Sequence, residues 1–199
     1  MHARVFLTSP NESAITAFVQ SLQDAPFSYS GAGVSEETSP SGARSLGFVH
    51  DHNRIVLGQG EAVLESAVNA LCNWEMFNTG WSEIAPGTPP IEVGRTVALV
   101  TRVFGAWWLN ACRIVDVIDE DVPFRRFGFA YRTLPPHVAC GEERFLVEQD
   151  DEGTVSYEIR AISRPRHPLA RLGYPVTRRM QRRFVRDSQG AMRRAVAGC

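Results

Sequence analysis

Residues 95–165 read RTVALVTRVFGAWWLNACRIVDVIDEDVPFRRFGFAYRTLPPHVACGEERFLVEQDDEGTVSYEIRAISRP, and apolar and polar side chains alternate along most of that length. A period of two puts alternate side chains on opposite faces of an extended chain, so the stretch predicts strands at Arg95–Phe104, Trp107–Ile118, Phe127–Leu134, Glu142–Gln149 and Thr154–Ile162. Gly105-Ala106, Asp119-Glu120-Asp121 and Asp150-Asp151-Glu152-Gly153 supply the turns between them. Joined this closely, the strands can only be antiparallel, because a parallel pair needs a crossover of roughly a dozen residues.

Beyond this meander the period changes. From about Pro168 onward, Leu169, Leu172, Val176, Met180 and Phe184 recur every three to four residues with Arg between them, which predicts a long helix, apolar on one side and basic on the other. Upstream of the Pro86-Gly87-Thr88-Pro89-Pro90 turn, Glu61 opens a second helix striped by Val63, Leu64, Ala67, Val68, Leu71 and Trp74, running through Glu75-Met76-Phe77 to near Gly80. Leu46–Val49 and Arg54–Leu57 predict a hairpin around Asp51-His52-Asn53, and Phe27–Gly47, rich in Ser, Gly and Pro, predicts a long surface loop. Val5-Phe6-Leu7 reads as a short strand, and residues 11–23 as a helix with Ile15, Phe18, Val19 and Leu22 on one side, stopped by Pro26. An antiparallel sheet must cover one face, and the long helix is the available cover. The expected fold class is α+β, an antiparallel β-meander gripping a long C-terminal helix, the helix-grip architecture by analogy with Bet v 1 and START-like proteins.

The chain has 199 residues, 44% hydrophobic and 22% charged, with a formal net charge of −1. That composition excludes disordered, collagen-like and disulfide-scaffold classes and suits one domain over residues 1–199. All 21 basic residues are Arg, and they are segregated: Arg160–Cys199 holds eleven Arg against the single acid Asp187, whereas residues 1–159 hold ten Arg against 21 acids. Cys72, Cys112, Cys140 and Cys199 match no zinc or redox spacing and read as reduced thiols. With no signal-length apolar start and no apolar run of about 18 residues, a soluble, cytoplasmic protein is expected.

Several side chains carry chemistry. His137 ends a strand beside Pro135-Pro136, and Glu142 and Glu143 follow across Gly141, which can bring an imidazole to a carboxylate as a general base or one side of a metal site. Alternatively, His137 caps a turn while one Glu pairs with Arg144 or Arg113. Tyr131 and Thr133 share a strand face, as do Phe127 and Phe129, offering either aromatic pocket walls with hydroxyls or core packing. Trp74 and Trp81 suit a pocket rim or helix-end packing. Arg164 can hold an anionic ligand group or pair with Glu142 or Glu143. No Walker loop, dinucleotide fingerprint, nucleophile elbow or zinc set occurs, so no cofactor is expected.

Tyr131, Thr133, Leu134, Pro135 and His137, then Gly141-Glu142-Glu143-Arg144-Phe145, then Ala161, Ser163, Arg164 and Pro165 together resemble the uncharacterised family DUF1990, also called UPF0548. Trp74-Glu75-Met76-Phe77 and Asn110-Ala111-Cys112-Arg113-Ile114-Val115 extend the resemblance over roughly Phe48–Phe184. Arg132 and Pro136 stand where that pattern has Gly, and Arg132 is expected to narrow a pocket mouth. The resemblance implies a fold and no established reaction.

Three functions fit these residues. The first is binding of a small apolar or amphipathic molecule between sheet and C-terminal helix, with Trp74, Trp81, Tyr131, Thr133, His137 and Arg164 as candidate contacts. The second is an enzyme using His137 and Glu143 as general acid and base there. In the third, the Arg face docks on an anionic surface, a membrane or nucleic acid, although no specific nucleic-acid motif and no transmembrane segment accompanies it.

Overall fold

The period-two stretch folds as five consecutive antiparallel strands, and elements before it extend the sheet at both edges. A computed structural model describes residues 4–29, 47–122, 125–135, 137–165 and 173–198. In chain order these form β1 (Arg4–Phe6), α1 (Glu12–Gln20), β2 (Val49–Gln59), α2 (Glu61–Cys72), β3 (Ser82–Ala85), β4 (Thr96–Val103), β5 (Ala106–Glu120), β6 (Arg126–Thr133), β7 (Ala139–Gln149), β8 (Thr154–Pro165) and α3 (Tyr174–Ala197). The strand order is β2-β8-β7-β6-β5-β4-β3, with β1 paired to β5. α2 and α3 cover one face, here the inner face, in the expected helix-grip arrangement.

The inner face is aromatic. Phe145 is completely buried, and its ring centre lies 5.4 Å from that of Phe129, 5.6 Å from Tyr131 and 5.5 Å from Phe77. Phe184 of α3 closes over the same group, 5.2 Å from Phe77. Ile15 and Phe18 of α1 and Leu22 of the turn after it pack on the other face against Ala98, Val100, Leu109, Ala111 and Leu134. There Arg113 of β5 donates to the carbonyls of Leu22, Gln23 and Ala25, placing a cation against the turn that follows the C-terminus of α1.

Four local readings are corrected. The hairpin predicted around Asp51-His52-Asn53 is instead one strand, β2, paired with β8 from Val49↔Ser163 to Gln59↔Thr154. The polar triplet imitates a turn, but alternation sends His52 outward to Glu158 (2.8 Å) and Asp51 inward to Arg178 (2.7 Å). α2 stops at Cys72 rather than near Gly80, because Trp74 adopts the left-handed conformation (φ 59°) ahead of a 3-10 turn at Glu75–Phe77. β3 had no counterpart in the sequence reading. Val176 does not join the buried stripe of α3 and is 45% exposed; the buried side runs from Phe184 through Ser188, Ala191 and Met192. Most of the expected Phe27–Gly47 loop, together with Pro136, His167, Leu169, Leu172 and Cys199, lies outside the described residues. Cys72, Cys112 and Cys140 are free thiols.

Because Phe145 contacts sheet neighbours, the 3-10 turn and α3, F145A is expected to cost about 3–5 kcal/mol, read as a lower urea midpoint. A loss below about 1 kcal/mol would show that this cluster does not organise the core.

Candidate functional site

Strand register sets one row across the inner face: Asp51 on β2 opposes Ala161 on β8, Ala161 opposes Glu143 on β7, and Glu143 opposes Tyr131 on β6. The next row holds Asn53, Ile159, Phe145 and Phe129 and is filled by aromatic packing. In the Asp51 row, Ala161 brings only a methyl group, and on the following row Gly141 brings no side chain at all. The result is a cavity of about 480 Å³ between these strands and α3. Phe77, Leu99, Ile159, Ala161, Phe184 and Val185 form its apolar walls; Asp51, Tyr131, His137, Glu143, Arg178 and Gln181 are among its polar lining.

The cavity edge is latched. Arg178 of α3 grips Asp51 with two bonds of 2.7 Å and reaches Gln181 at 2.6 Å, and Gln181 donates to Ser163 Oγ at 2.9 Å. Such a two-pronged guanidinium–carboxylate pair orients both groups. Gly141 allows a close approach: a Cβ there would stand 2.0 Å from the carbonyl oxygen of Ile162. The Thr133 hydroxyl bridges β6 to this glycine, accepting from Gly141 N–H at 3.0 Å and lying 3.2 Å from its carbonyl and 2.5 Å from Ser28 Oγ. Those contacts use the hydroxyl's bonding capacity, so Thr133 holds the floor together rather than offering a free group.

Glu143 is the chemically distinctive residue. The Tyr131 hydroxyl donates to its Oε2 at 2.7 Å. Burial pushes the carboxyl up to about 7; the Tyr131 bond works against that shift and the Asp51 charge adds to it. A group near 7 both gives and takes protons under ordinary conditions. Burial also lowers His137 to about 4, opposed by its contact with the Ala139 backbone. His137 Nδ1 lies 3.0 Å from the Ala139 carbonyl oxygen and 3.1 Å from its amide nitrogen. The two expected partners therefore line one cavity without bonding to each other: Ala139 engages the imidazole and Tyr131 engages the carboxylate. Among the described residues, no three His, Cys, Asp or Glu side chains gather as a metal site.

The remaining candidates lie elsewhere. Trp74 is buried in the core, its indole N–H donating to Pro89 O at 2.7 Å and its ring 4.8 Å from Phe129. Trp81 donates to Asp187 of α3 at 3.0 Å and lies beneath Arg183. Both border a separate cleft of about 320 Å³ and are not among the residues of the larger cavity. Arg164 faces the other side of the sheet, stacked on Phe48 and donating to Cys140 Sγ at 3.2 Å. Arg132 also points outward and does not narrow the cavity mouth; it binds Glu142 at 2.8 Å between the rings of Phe27 and Tyr29. Arg144 pairs with Glu158 rather than with Glu142 or Glu143. Burial works to raise the Glu158 carboxyl, but bonds from His52 and Arg144 and the charge of Arg160 bring it below its ordinary value. Asp51, Ala161, Ser163, Arg178 and Gln181 were absent from the sequence candidates. Continuing the period of two back from Leu57 and Ile55 through Asn53 would have placed Asp51 inside.

Glu143 binds its proton more tightly in the folded chain than at its ordinary 4.5, so its stabilising share is complete below 4.5 and is lost as pH rises through about 7. E143Q, which stays neutral, should therefore gain stability relative to the parent chain between pH 5 and pH 8, by up to about 3 kcal/mol. His137 has the opposite slope, lost as pH falls from 6.5 towards 4, and it cancels in this comparison. Thermal melts of both proteins at the two pH values measure the effect; a pH-independent difference would refute it.

A model of the family described as "Domain of unknown function (DUF1990)" matches residues 28–191. A UPF0548 protein of Dictyostelium discoideum is 34% identical over 201 residues, covering 94% of this chain and 93% of its own. A UPF0548 protein of Arabidopsis thaliana is 35% identical over 150 residues, 73% and 72% of the two chains. Among solved structures, the hypothetical protein jhp0584 of Helicobacter pylori superposes with a TM-score of 0.53 at 14% identity, covering 84% of this chain and 97% of that one, a likeness of fold. Tyr131, Thr133, Gly141, Glu143, Ala161 and Ser163, which belong to the stretches that carry the sequence resemblance, line the cavity, and the chain belongs to the DUF1990 (UPF0548) family.

Proposed function

We propose that the chain acts as one domain that binds a small, largely apolar or amphipathic molecule between the sheet and α3. The supporting observation is the cavity of about 480 Å³, within the roughly 300–1,000 Å³ span of small-molecule sites, with mainly apolar walls and a few convergent polar groups. On the adjacent row Phe129 and Phe145 are completely buried in the aromatic core, and the space opens beyond them at Ala161 and Gly141. Tyr131, His137 and Glu143 are the contacts retained from the sequence candidates; Asp51 and Arg178 join them. Glu143 favours a second reading, catalysis by proton transfer. A carboxyl near 7, held by Tyr131 inside a cavity, suits a general acid or base better than a neutral imidazole near 4.

The Arg face of α3 is partly used within the fold. Arg178 pairs with Asp51, Arg183 and Arg186 pair with Asp187, and Arg194 reaches the Asn78 carbonyl. Arg179, Arg182 and Arg193 are exposed and can meet an anionic surface, a role secondary to the cavity. No helix among the described residues is long and apolar enough to cross a membrane.

Nile red, a neutral apolar dye, tests the binding reading. The parent chain should enhance its fluorescence saturably, and A161W, which fills the cavity from its floor, should weaken the apparent affinity at least about tenfold while the far-ultraviolet dichroism is retained. Equal dye binding by a folded A161W protein would remove the cavity as the site.

A further inference from the structure

Glu143 presents an incompletely satisfied carboxylate to a cavity whose walls are mainly apolar. One oxygen accepts from the Tyr131 hydroxyl; among the described residues the other, Oε1, takes no hydrogen bond. A carboxylate has about four acceptor sites, and Glu143, half-buried at the cavity, uses one of them within the protein, so its second oxygen stays open to a ligand's donor. The Tyr131 bond fixes which oxygen is engaged and leaves the second for a ligand.

The surrounding charges indicate the sign of that donor. On β2, Asp51 is neutralised by Arg178 of α3, so the Arg178 charge is spent there. Arg182 lines the cavity from α3 but is exposed, where solvent screens it. Burial keeps Tyr131, Tyr157 and Cys112 protonated and neutral, and His137 is neutral above about 4. Among the described residues, Glu143 is thus the half-buried acid of the cavity lining with no cationic partner. An anionic head group would meet it with repulsion, a neutral hydroxyl would offer one dipole, and a protonated amine would offer a full charge with several N–H donors.

Resting on the binding reading above, we propose that the cavity selects amphipathic amines, with the cationic nitrogen against Glu143 Oε1 and the apolar body along Phe77, Ile159 and Phe184. The ionised form of Glu143 is the one that binds. An alkylamine, like a Lys side chain, stays protonated to about pH 10, so the pH dependence of binding comes from the protein. With Glu143 near 7, the ionised fraction rises from about one-tenth at pH 6 to about nine-tenths at pH 8, and amine affinity should rise about tenfold over that interval. Amine binding in the lower part of the range should release a proton from Glu143.

Calorimetric titration of the full chain with decylamine, decanol and decanoate, each below its micellar concentration, separates the outcomes. At pH 8 decylamine should bind at least tenfold more tightly than decanol, decanoate should bind most weakly, and the alcohol should show no pH dependence between 6 and 8. In E143Q the amine-to-alcohol affinity ratio should fall to within about twofold of one and the amine's pH dependence should flatten. Decanol binding equal to that of the amine, or an amine preference that survives E143Q, would overturn the selectivity while leaving the cavity intact. Failure of all three to bind or to displace Nile red would overturn the binding reading itself.

Discussion

Adjacent residues on a strand must face opposite sides, and on β7 that constraint separates two neighbouring carboxylates into different chemistries. Glu142 goes outward, where Arg132 meets it at 2.8 Å between two aromatic rings. Glu143 goes inward, where the nearest donor is a phenol and the walls are apolar. The first is a compensated ion pair that fastens β6 to β7. The second is left short of partners, and burial moves it towards neutrality. One position of slip in the register would exchange them, which is why the pairing of β6, β7 and β8 governs the site as much as the residues themselves do.

The cavity and the core are two outcomes of one packing problem. Phe129, Phe145, Phe77 and Phe184 fill the middle of the inner face, and that aromatic group anchors α3 over the sheet. Over the next two rows, Ala161 and then Gly141 are too small to reach the helix, and the Asp51–Arg178 and Gln181–Ser163 bonds span the gap instead. Such bonds hold the helix off the sheet with polar contacts at the edge, leaving the interior open. A cavity and a raised carboxyl both lower stability, and binding sites commonly carry that kind of cost.

Much of the architecture was readable in advance because it depends on period and turn chemistry. The five meander strands, the helix at Glu61 and the amphipathic character of α3 follow from alternation and from the recurrence of apolar residues every three to four positions. β2 was not readable as one strand, since Asp51-His52-Asn53 has turn composition and its strand state depends on Glu158 and Arg178, which are more than a hundred residues away. The end of α2 was missed for a similar reason: Trp74 sits in a left-handed conformation held by core packing and by Pro89. Tyr131, His137 and Glu143, which line the cavity, were legible as candidates because each is a chemically distinctive group at a strand end or on a strand face. Trp74, Trp81, Thr133 and Arg164 have the same chemistry of type, but each is occupied by a partner distant in the chain.

Side-chain order along each segment decided strand, helix and face, because those properties are local and repeat with a short period. It placed Glu143 opposite in direction to Glu142 and Tyr131 on the same face as Thr133. Which inward residues meet, which are satisfied and which remain open depended on lateral registry between strands and on where α3 comes to rest. Those are long-range choices made by packing volume and charge pairing. They left Thr133 saturated by Gly141 and Ser28, and Glu143 with a single phenol and a cavity before it.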